Sequence, residues 1–261
     1  MIRRRLYIDE RMSRLAVWSL RVAVFALPVT IIGVACYFTE ILDLESALYT
    51  VLAGVTLAGL ALLLALAAFV VIWNEGVRGL GRVIGAGALA LALIAPTAGL
   101  AAFGARLPVL HEVSTDMDDP PAFVTLAMAR SRAANPLDGP DEAATTAQED
   151  AYPGIHPIDF DSAPDDVFND LMVLVARRKW TIIDAVPPRG GQRDGRIEAV
   201  ARGLPLGLRD DIVIRVRRTA EGTRVDMRSV TRNAVRDFGS NARRVDDLLA
   251  ELSERQGKRR R

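Results

Sequence analysis

The sequence contains little cysteine, lysine or histidine. Cys36 is the single cysteine among 261 residues, which excludes an intrachain disulfide and a cysteine-based zinc site. There are two histidines, His111 and His156, and only two lysines, so nearly all basic residues are arginine. The formal net charge of +1 gives no overall basic excess of the kind that nucleic-acid binding requires. We therefore expect no nucleic-acid partner.

Long apolar runs are concentrated in the first 105 residues. A helix needs about 20 predominantly apolar residues to cross a bilayer. Three stretches meet this requirement: Val22 to Ile41, Ala47 to Trp73 and Val83 to Gly104. A cleaved signal peptide would have one short apolar core, so we expect the chain to remain in the membrane as a three-span anchor.

The spans carry small residues rather than charges at mid-depth. A transporter or proton relay would need polar groups along its pathway, and these are missing from the three stretches. Small residues at Gly54 and Ala58, and at Ala95 and Gly99, instead predict close contacts between helices. The spans therefore indicate an anchor, or a docking surface for another membrane protein.

Arginines beside the spans predict the orientation of the chain. The first loop, "TEILDLE", has no basic residue, and the second, "NEGVRGLGR", has Arg78 and Arg82. Six arginines precede the first span: Arg3, Arg4, Arg5, Arg11, Arg14 and Arg21. Because basic flanks stay on the cytoplasmic side, we expect a cytoplasmic N-terminus in a bacterial inner membrane. Everything from about Arg106 onward should then lie in the periplasm.

The second half of the chain has the pattern of an α+β domain. Apolar residues recur at helical spacing behind Pro164, and a second amphipathic helix is predicted from about Gly239. Four strands are predicted between them, at residues 180–186, 195–202, 210–218 and 223–230. The simplest arrangement is a two-layer domain in which an antiparallel sheet of about four strands is packed by two helices.

These patterns predict four regions. They are a basic cytoplasmic N-terminus over residues 1–21, a three-span transmembrane anchor over 22–105, a seam and linker over 106–151, and a periplasmic α+β domain over 152–261. Residues 131–154 contain Pro, Gly, Ala, Thr and acids without an apolar period, which predicts a long loop.

Several ordered motifs in the second half resemble one bacterial family. They are "HEVSTDMDDPPAF", "YPGIHPI", "GRIEA", "DDIVIRVR", "GTRVDMRSVTR" and "DFGSNARRVDDLL". Together with Trp180 at the start of a predicted strand, they resemble the membrane-anchored type of the bacterial domain-of-unknown-function family numbered 1499, over about residues 108–253. The resemblance implies a short hydrophobic bundle ahead of the domain. It implies no catalytic residues, because the family has no established activity to carry over.

The stretch "HEVSTDMDDPPAF", residues 111–123, is the strongest candidate for a metal site. A metal-assisted hydrolase could use two histidines and the acids between residues 116 and 119. The candidate ligands are His111, Asp116, Asp118, Asp119 and His156. However, a calcium EF-hand loop needs a Gly and a final Glu that are missing here. A zinc hydrolase needs about three ligands on rigid elements. The metal site therefore stands as an alternative hypothesis.

The favoured interpretation of the same stretch is structural. Asp beside Pro commonly forms turns, and Pro120 and Pro121 favour an extended exit. Phe123 is then expected to insert into the core of the outer domain. Neither a G-x-S-x-G elbow nor a P-loop occurs in the chain. We therefore predict no catalytic residues and no cofactor, and do not expect an enzyme.

An arginine-rich sheet face is the remaining candidate site. In the last two predicted strands, side chains alternate between an apolar face and an arginine face. One interpretation is a solvated face with ion pairs, such as Arg215 or Arg217 with Asp226. The other is an anion-recognition surface helped by the "KRRR" terminus. Its candidate residues are Arg215, Arg217, Arg224, Arg228, Arg232 and Arg236.

Three functions remain open at this point. The first is a membrane-anchored domain of uncharacterised function that binds an envelope protein or an anionic lipid without catalysis. The second is the metal-assisted hydrolase. The third is a subunit of a larger membrane complex, in which the spans make the main contacts. The first agrees best with the composition, because it needs only a continuous surface and no set of catalytic groups.

Overall fold

The computed structural model describes residues 11–131, 134–189 and 194–259. Most of the predicted basic N-terminus, and the last two arginines of the "KRRR" terminus, lie outside these ranges. The chain divides into two compact units, Met1–Phe103 and Gly104–Arg261.

The first unit contains three helices: α1 (Arg14–Phe38), α2 (Leu44–Glu75) and α3 (Leu80–Gly104). Each is long and apolar enough to cross a membrane, so the prediction of three helices that can span a membrane is confirmed. Gly54 is a point of close helix contact, because a Cβ atom there would lie 2.1 Å from the Thr30 hydroxyl oxygen. Small residues allow such close backbone approach.

The prediction of close helix contacts at small residues is correct at some positions only. Ala58, like Gly54, is buried between helices as predicted. At Gly99 the prediction is wrong, since within the described chain no atom approaches within 4 Å of the position a Cβ would take. The spacing of small residues therefore locates a contact only where another helix happens to lie beside it.

The second unit is built on one antiparallel sheet. Its long strands are β3 (Thr181–Val186), β4 (Gly195–Gly203), β5 (Leu208–Arg218) and β6 (Thr223–Thr231). Two short strands, β1 (Glu112–Ser114) and β2 (Ile158–Phe160), share the free edge of β6. The strand order is β1-β6-β5-β4-β3, with β2 also on β6.

The sheet therefore has six strands, and the expected number of about four was wrong. The four long strands agree closely with the predicted ones, because each carries enough alternation to be recognised. The two additional strands have three residues each. A segment that short shows no period, so only the tertiary structure reveals its pairing.

Two helices cover one face of the sheet and form the main core. They are α6 (Pro164–Arg177) and α7 (Ser240–Arg259). As predicted, α6 begins at Pro164. It also has acids in its first turn, where they interact favourably with the helix dipole. The buried helix stripes pack on inward-facing strand residues; the largest fully buried members are Leu171, Leu174, Ile197, Ile212, Ile214, Met227, Leu248 and Leu252.

The stretch predicted as a loop contains a helix. After the short α4 (Thr125–Ala129), helix α5 spans Glu142–Ala151, capped by Asp141, which accepts a hydrogen bond from the amide of Ala144 at 2.8 Å. Its one buried residue is polar: Gln148 hydrogen bonds to the amide and the carbonyl of Ser114 at 3.0 and 2.6 Å. The helix was missed because a polar side chain, not an apolar stripe, holds it to the domain.

Candidate functional site

The sheet face opposite α6 and α7 is covered by residues 115–130, which we call the strap. Phe123 and Leu126 of the strap are buried against Val213 and Val230 of the sheet. The prediction that Phe123 inserts into the core is therefore confirmed. We call this side of the sheet the strap face. The predicted arginine face is the same surface, so it is partly covered rather than fully open to solvent.

Glu198 attaches the strap to the sheet. Its carboxylate is fully buried and accepts hydrogen bonds from the amides of Val124, Thr125 and Leu126 at 2.8, 3.2 and 2.7 Å. Arg196 Nε lies 3.0 Å from the same carboxylate. A buried carboxylate is stable only when its oxygens are paired, and the free amides at the start of α4 meet this need.

Asp184 makes a second connection at the sheet edge. It accepts hydrogen bonds from Arg196 at 2.9 Å and from the Thr125 hydroxyl at 3.1 Å. The hydrogen bond from Arg196 is the main reason why the pKa of Asp184 is lowered from its ordinary value. The charged form is therefore the one that the folded domain favours.

Arg215 and Arg217 are paired with acids from both the sheet and the strap. Each lies 2.9 to 3.0 Å from Asp226, and each lies 3.0 Å from Asp119. Asp116 lies 3.4 Å from Arg217. Burial acts to lower the pKa of Arg217, but the nearby carboxylates, with Asp226 first among them, outweigh it and raise the pKa above the ordinary value. We call this end of the strap face the closed end.

The other predicted arginines occupy different surroundings. Arg224 is 39% exposed and lies 3.6 Å from Asp226. Arg228 is buried and pairs at 2.6 Å with the equally buried Glu112, and its guanidinium lies over the Phe123 ring. Arg228 is therefore part of the interior, whereas Arg224 is at the surface.

Arg232 and Arg236 lie beyond the last strand. Arg232 donates to the carboxylate of Asp211, through Nε at 3.2 Å and through a second nitrogen. Arg236 donates to the main-chain oxygens of Gly104 at 2.6 Å and Leu107 at 3.4 Å. The six predicted arginines thus do not form one surface. Three gather around Asp226, one is buried, and two lie at the opposite end of the sheet.

The groups proposed for metal binding do not converge. His156 is exposed. The main-chain oxygen of His111 accepts from the amide of Thr231 at 2.7 Å and from the side-chain amide of Asn241 at 3.2 Å. Asp116 and Asp119 face arginines. Within residues 11–131, 134–189 and 194–259, no three His, Cys, Asp or Glu side chains are placed to hold a metal ion.

A cleft of about 540 Å³ lies at the other end of the strap face, and we call it the basic cleft. Trp180, Ile183 and Val200 supply apolar surface. None of the described residues that line it is acidic. Its cationic residues are Arg178, Lys179, Arg202, Arg209 and Arg232. A concave site with an apolar surface and a few convergent charges is the usual form of a ligand-binding site.

Sequence reasoning singled out only Arg232 among these five cations. One signal was available, since Arg178, Lys179 and Trp180 are consecutive. The other signal needs the register of the strands, because Arg202 and Arg209 are directly opposed on β4 and β5. Pairing of distant segments produces the cleft, so its full lining could not be found from the sequence.

A buried polar network holds the backbone beside the basic cleft. Asp210 is fully buried and accepts from the Thr231 hydroxyl at 2.6 Å and from Arg244 at 2.5 Å. Burial raises the pKa of Asp210, against the effect of Arg244. Asp210 follows Arg209 and Thr231 precedes Arg232, so this network fixes the two strand positions that present arginines to the cleft.

A second cleft of about 430 Å³ borders the closed end. Its charged lining is mixed, with Asp116, Asp118 and Glu149 beside Arg224. Tyr152 also lines it, and burial raises the pKa of this phenol. Three carboxylates disfavour an anionic ligand in this cleft, which distinguishes it from the basic cleft.

Comparison with known proteins gives one result. A model of the family described as "Protein of unknown function (DUF1499)" matches residues 112–252. No curated protein and no solved structure matches the chain. The family match begins at β1 and ends within α7, so it covers the whole sheet, the strap, α6 and the first part of α7. Because it spans more than half of the chain, this protein belongs to the DUF1499 family of proteins of unknown function.

Proposed function

We propose that this protein is a multi-pass protein of the bacterial inner membrane whose outer domain lies in the periplasm and recognises an anionic ligand without catalysing a reaction. The ligand is part of an envelope lipid or of an acidic envelope protein. The basic cleft is the observation that carries the proposal, because it combines a concave shape with a cationic and apolar lining.

The membrane location is supported by two independent features. Three helices are long and apolar enough to cross a bilayer. Arginines precede the first span and lie in the second loop, whereas the first loop has none. This distribution favours a cytoplasmic N-terminus. Three crossings from that side would place the outer domain in the periplasm.

The single cysteine makes this orientation testable. Replacing Cys36 with Ser gives a cysteine-free chain, into which Ala220→Cys is introduced on the exposed β5–β6 turn. A matched chain carries Asn74→Cys in the exposed last turn of α2, next to the second loop. In intact inner membranes, an impermeant maleimide should label residue 220 from the periplasmic side and residue 74 only after the membrane is opened. The reverse pattern would refute the proposed orientation.

Anion recognition is supported by the chemistry of the cleft. The guanidinium group is planar and donates paired hydrogen bonds that match carboxylate and phosphate oxygens. Arg202 and Arg209 lie on β4 and β5, Arg232 directly follows β6, and the amide of Arg232 donates to the carbonyl of Arg209 at 2.8 Å. The buried network around Asp210 holds this backbone in place, so little ordering is needed when a ligand binds.

Site-specific crosslinking tests the recognition. A photoreactive amino acid replaces Thr181, which is exposed at the basic cleft, and in a matched chain replaces Glu221 on the remote β5–β6 turn. In native membranes the first position should give a defined adduct that disappears when Arg202 and Arg209 are changed to Gln. Equal adducts at both positions, or an adduct that survives the double change, would contradict the proposal.

A further inference from the structure

We infer that the basic cleft binds the phosphate group of a lipid, as a phosphomonoester or diphosphate, with the adjoining organic portion against Trp180 and Ile183. The inference rests on the anion recognition proposed above and narrows it to one chemical class. It is supported by the register of the arginines, the geometry of the turn that carries Lys179, and the apolar part of the cleft.

Like charges are directly opposed in this part of the sheet. Arg202 and Arg209 are cross-strand partners on β4 and β5, an arrangement that is unfavourable for two cations. Both arginines have polar contacts within the protein, so their positions are constrained. Each guanidinium group has several N–H donors, so a phosphate placed between the two side chains can accept from both in addition to the contacts that they already make.

The opposite side of the cleft comes from the turn between α6 and β3. Lys179 has a φ of 56°, a left-handed conformation that is uncommon for a residue with a side chain. Arg178 beside it is held by Glu251 at 2.7 Å and by the main-chain oxygen of Asp247 at 3.0 Å. Lys179 is exposed, so its ammonium group is positioned to add a point charge to the arginines across the cleft.

The apolar part of the cleft argues for more than an inorganic anion. Ile183 is 41% exposed and lies at a register irregularity between Ile182 and Asp184, where an extra residue changes which way a side chain points. Trp180 is half-buried beside it, and Val200 adds further apolar surface. Phosphate alone makes no use of this surface, whereas the organic portion of a phospholipid head group would bury it.

The chain itself indicates the source of the phosphate. The domain follows three helices that can span a membrane in the same polypeptide. Tethering of this kind gives the cleft a high effective concentration of lipid head groups, whereas free phosphate gains nothing from it. The size of the cleft, about 540 Å³, also exceeds what a single phosphate fills and falls within the range of small-molecule sites.

Fluorescence of Trp180 provides the test. Trp18 and Trp73 are exposed on α1 and α2, so Trp18→Phe and Trp73→Phe leave Trp180 as the only reporter in the full-length protein in detergent micelles. Four probes are titrated: dihexanoyl phosphatidic acid and dihexanoyl phosphatidylcholine, both below their critical micelle concentration, and glycerol 3-phosphate and inorganic phosphate. Dissociation constants are measured for the parent and for two double variants, one in the cleft and one remote from it, each of which loses two positive charges.

The lipid phosphate should bind best. Phosphatidic acid should bind at least about 10-fold more tightly than glycerol 3-phosphate or inorganic phosphate, with no saturable change from phosphatidylcholine. Arg202→Gln with Arg209→Gln should weaken phosphatidic acid at least about 10-fold. The control, Arg218→Gln with Arg224→Gln at the other end of the sheet, should leave binding unchanged. Lys179 is exposed, so the single change Lys179→Gln should weaken binding without affecting folding.

The outcomes separate this inference from the proposed function. Equal affinity for all three phosphates, lost in the cleft variants, would overturn lipid recognition and leave anion recognition in place. Binding of none of the probes, or binding that the control variant weakens as much as the cleft variants do, would overturn lipid-phosphate recognition. The proposed function also admits an acidic protein ligand, so it is overturned only by the crosslinking result at residue 181. Circular dichroism of each variant confirms that a lost signal is not caused by unfolding.

Discussion

The arginines at the two ends of the strap face differ in whether acidic residues surround them. At the closed end, Arg215 and Arg217 are surrounded by carboxylates from the sheet and the strap. At the other end, Arg202 and Arg209 oppose one another across two strands and line a cleft without acidic lining residues in the described chain. All four arginines lie on one face of the same sheet. Their number and alternation therefore do not reveal which of them are structural.

The difference comes from the strap. Its acidic stretch, around Asp116 and Asp119, crosses only one end of the face, and its apolar part covers the middle. An arginine whose carboxylate partner is buried has little to gain from an external anion, because binding would require breaking the existing pair. At the other end, Arg232 is likewise paired with the buried Asp211, whereas Arg202 and Arg209 line a cleft whose described lining residues include no acid.

The largest effect is expected from the buried pair beneath the strap. Arg228→Met leaves the carboxylate of Glu112 buried without a partner, which costs about 3–5 kcal/mol of folding free energy. Urea unfolding of the full-length protein in detergent micelles measures this loss. Arg224→Met is the matched control, because this arginine is 39% exposed and should cost less than about 1 kcal/mol. Equal losses would remove the distinction between interior and surface arginines.

The attachment of the strap gives the next effect. Glu198→Gln weakens a charged acceptor of three main-chain amides, with an expected loss of about 2 kcal/mol. Hydrogen exchange should accelerate at Val124, Thr125 and Leu126 and remain unchanged in α7. The exposed Glu142→Gln in the first turn of α5 should change stability by less than about 0.5 kcal/mol. Unchanged exchange in the strap would show that Glu198 does not hold it.

A smaller effect depends on pH. The pKa of Asp184 is lowered from the ordinary value of 3.8, so the unfolded chain binds the proton more tightly than the folded domain does. The stabilisation from Asp184 is therefore present above pH 3.8 and is lost as the pH falls through the lowered pKa. Above pH 3.8 the parent should be more stable than Asp184→Asn by less than about 1 kcal/mol, because the pair is partly exposed. This difference should shrink as the pH falls through the lowered pKa. A difference independent of pH would contradict the assignment.

The smallest effect is expected at the open end. Arg209→Gln removes one of two opposed cations from an exposed position, so stability should change by less than about 0.5 kcal/mol. The same urea unfolding measurement checks this. A loss comparable with that of Arg228→Met would mean that both ends of the strap face are structural.

Much of the architecture was predictable from local patterns. The three apolar helices, the four long strands and the buried stripes of α6 and α7 all agree with the sequence-based expectations. These elements have several turns or alternations each, so their periodicity is visible without knowledge of their neighbours. The two three-residue strands and α5 were missed because their stability comes from edge pairing with β6 and from Gln148.

The candidate site was predictable only in part. The arginine face and the Arg215–Asp226 pair follow from strand alternation. The partners supplied by Asp116 and Asp119 do not, because they approach from a segment about 100 residues earlier in the chain. The basic cleft likewise combines the turn after α6 with the ends of three strands.

The sequence by itself determined the elements of this protein: membrane-spanning helices from length and apolarity, and an antiparallel sheet packed by two helices from periodicity. Only the tertiary structure decided which arginines contact the acids of the strap and which line the basic cleft. The physical reason is that charge pairing acts over a few ångströms in space, and the strap brings its acids to one end of the sheet face while leaving the other end open.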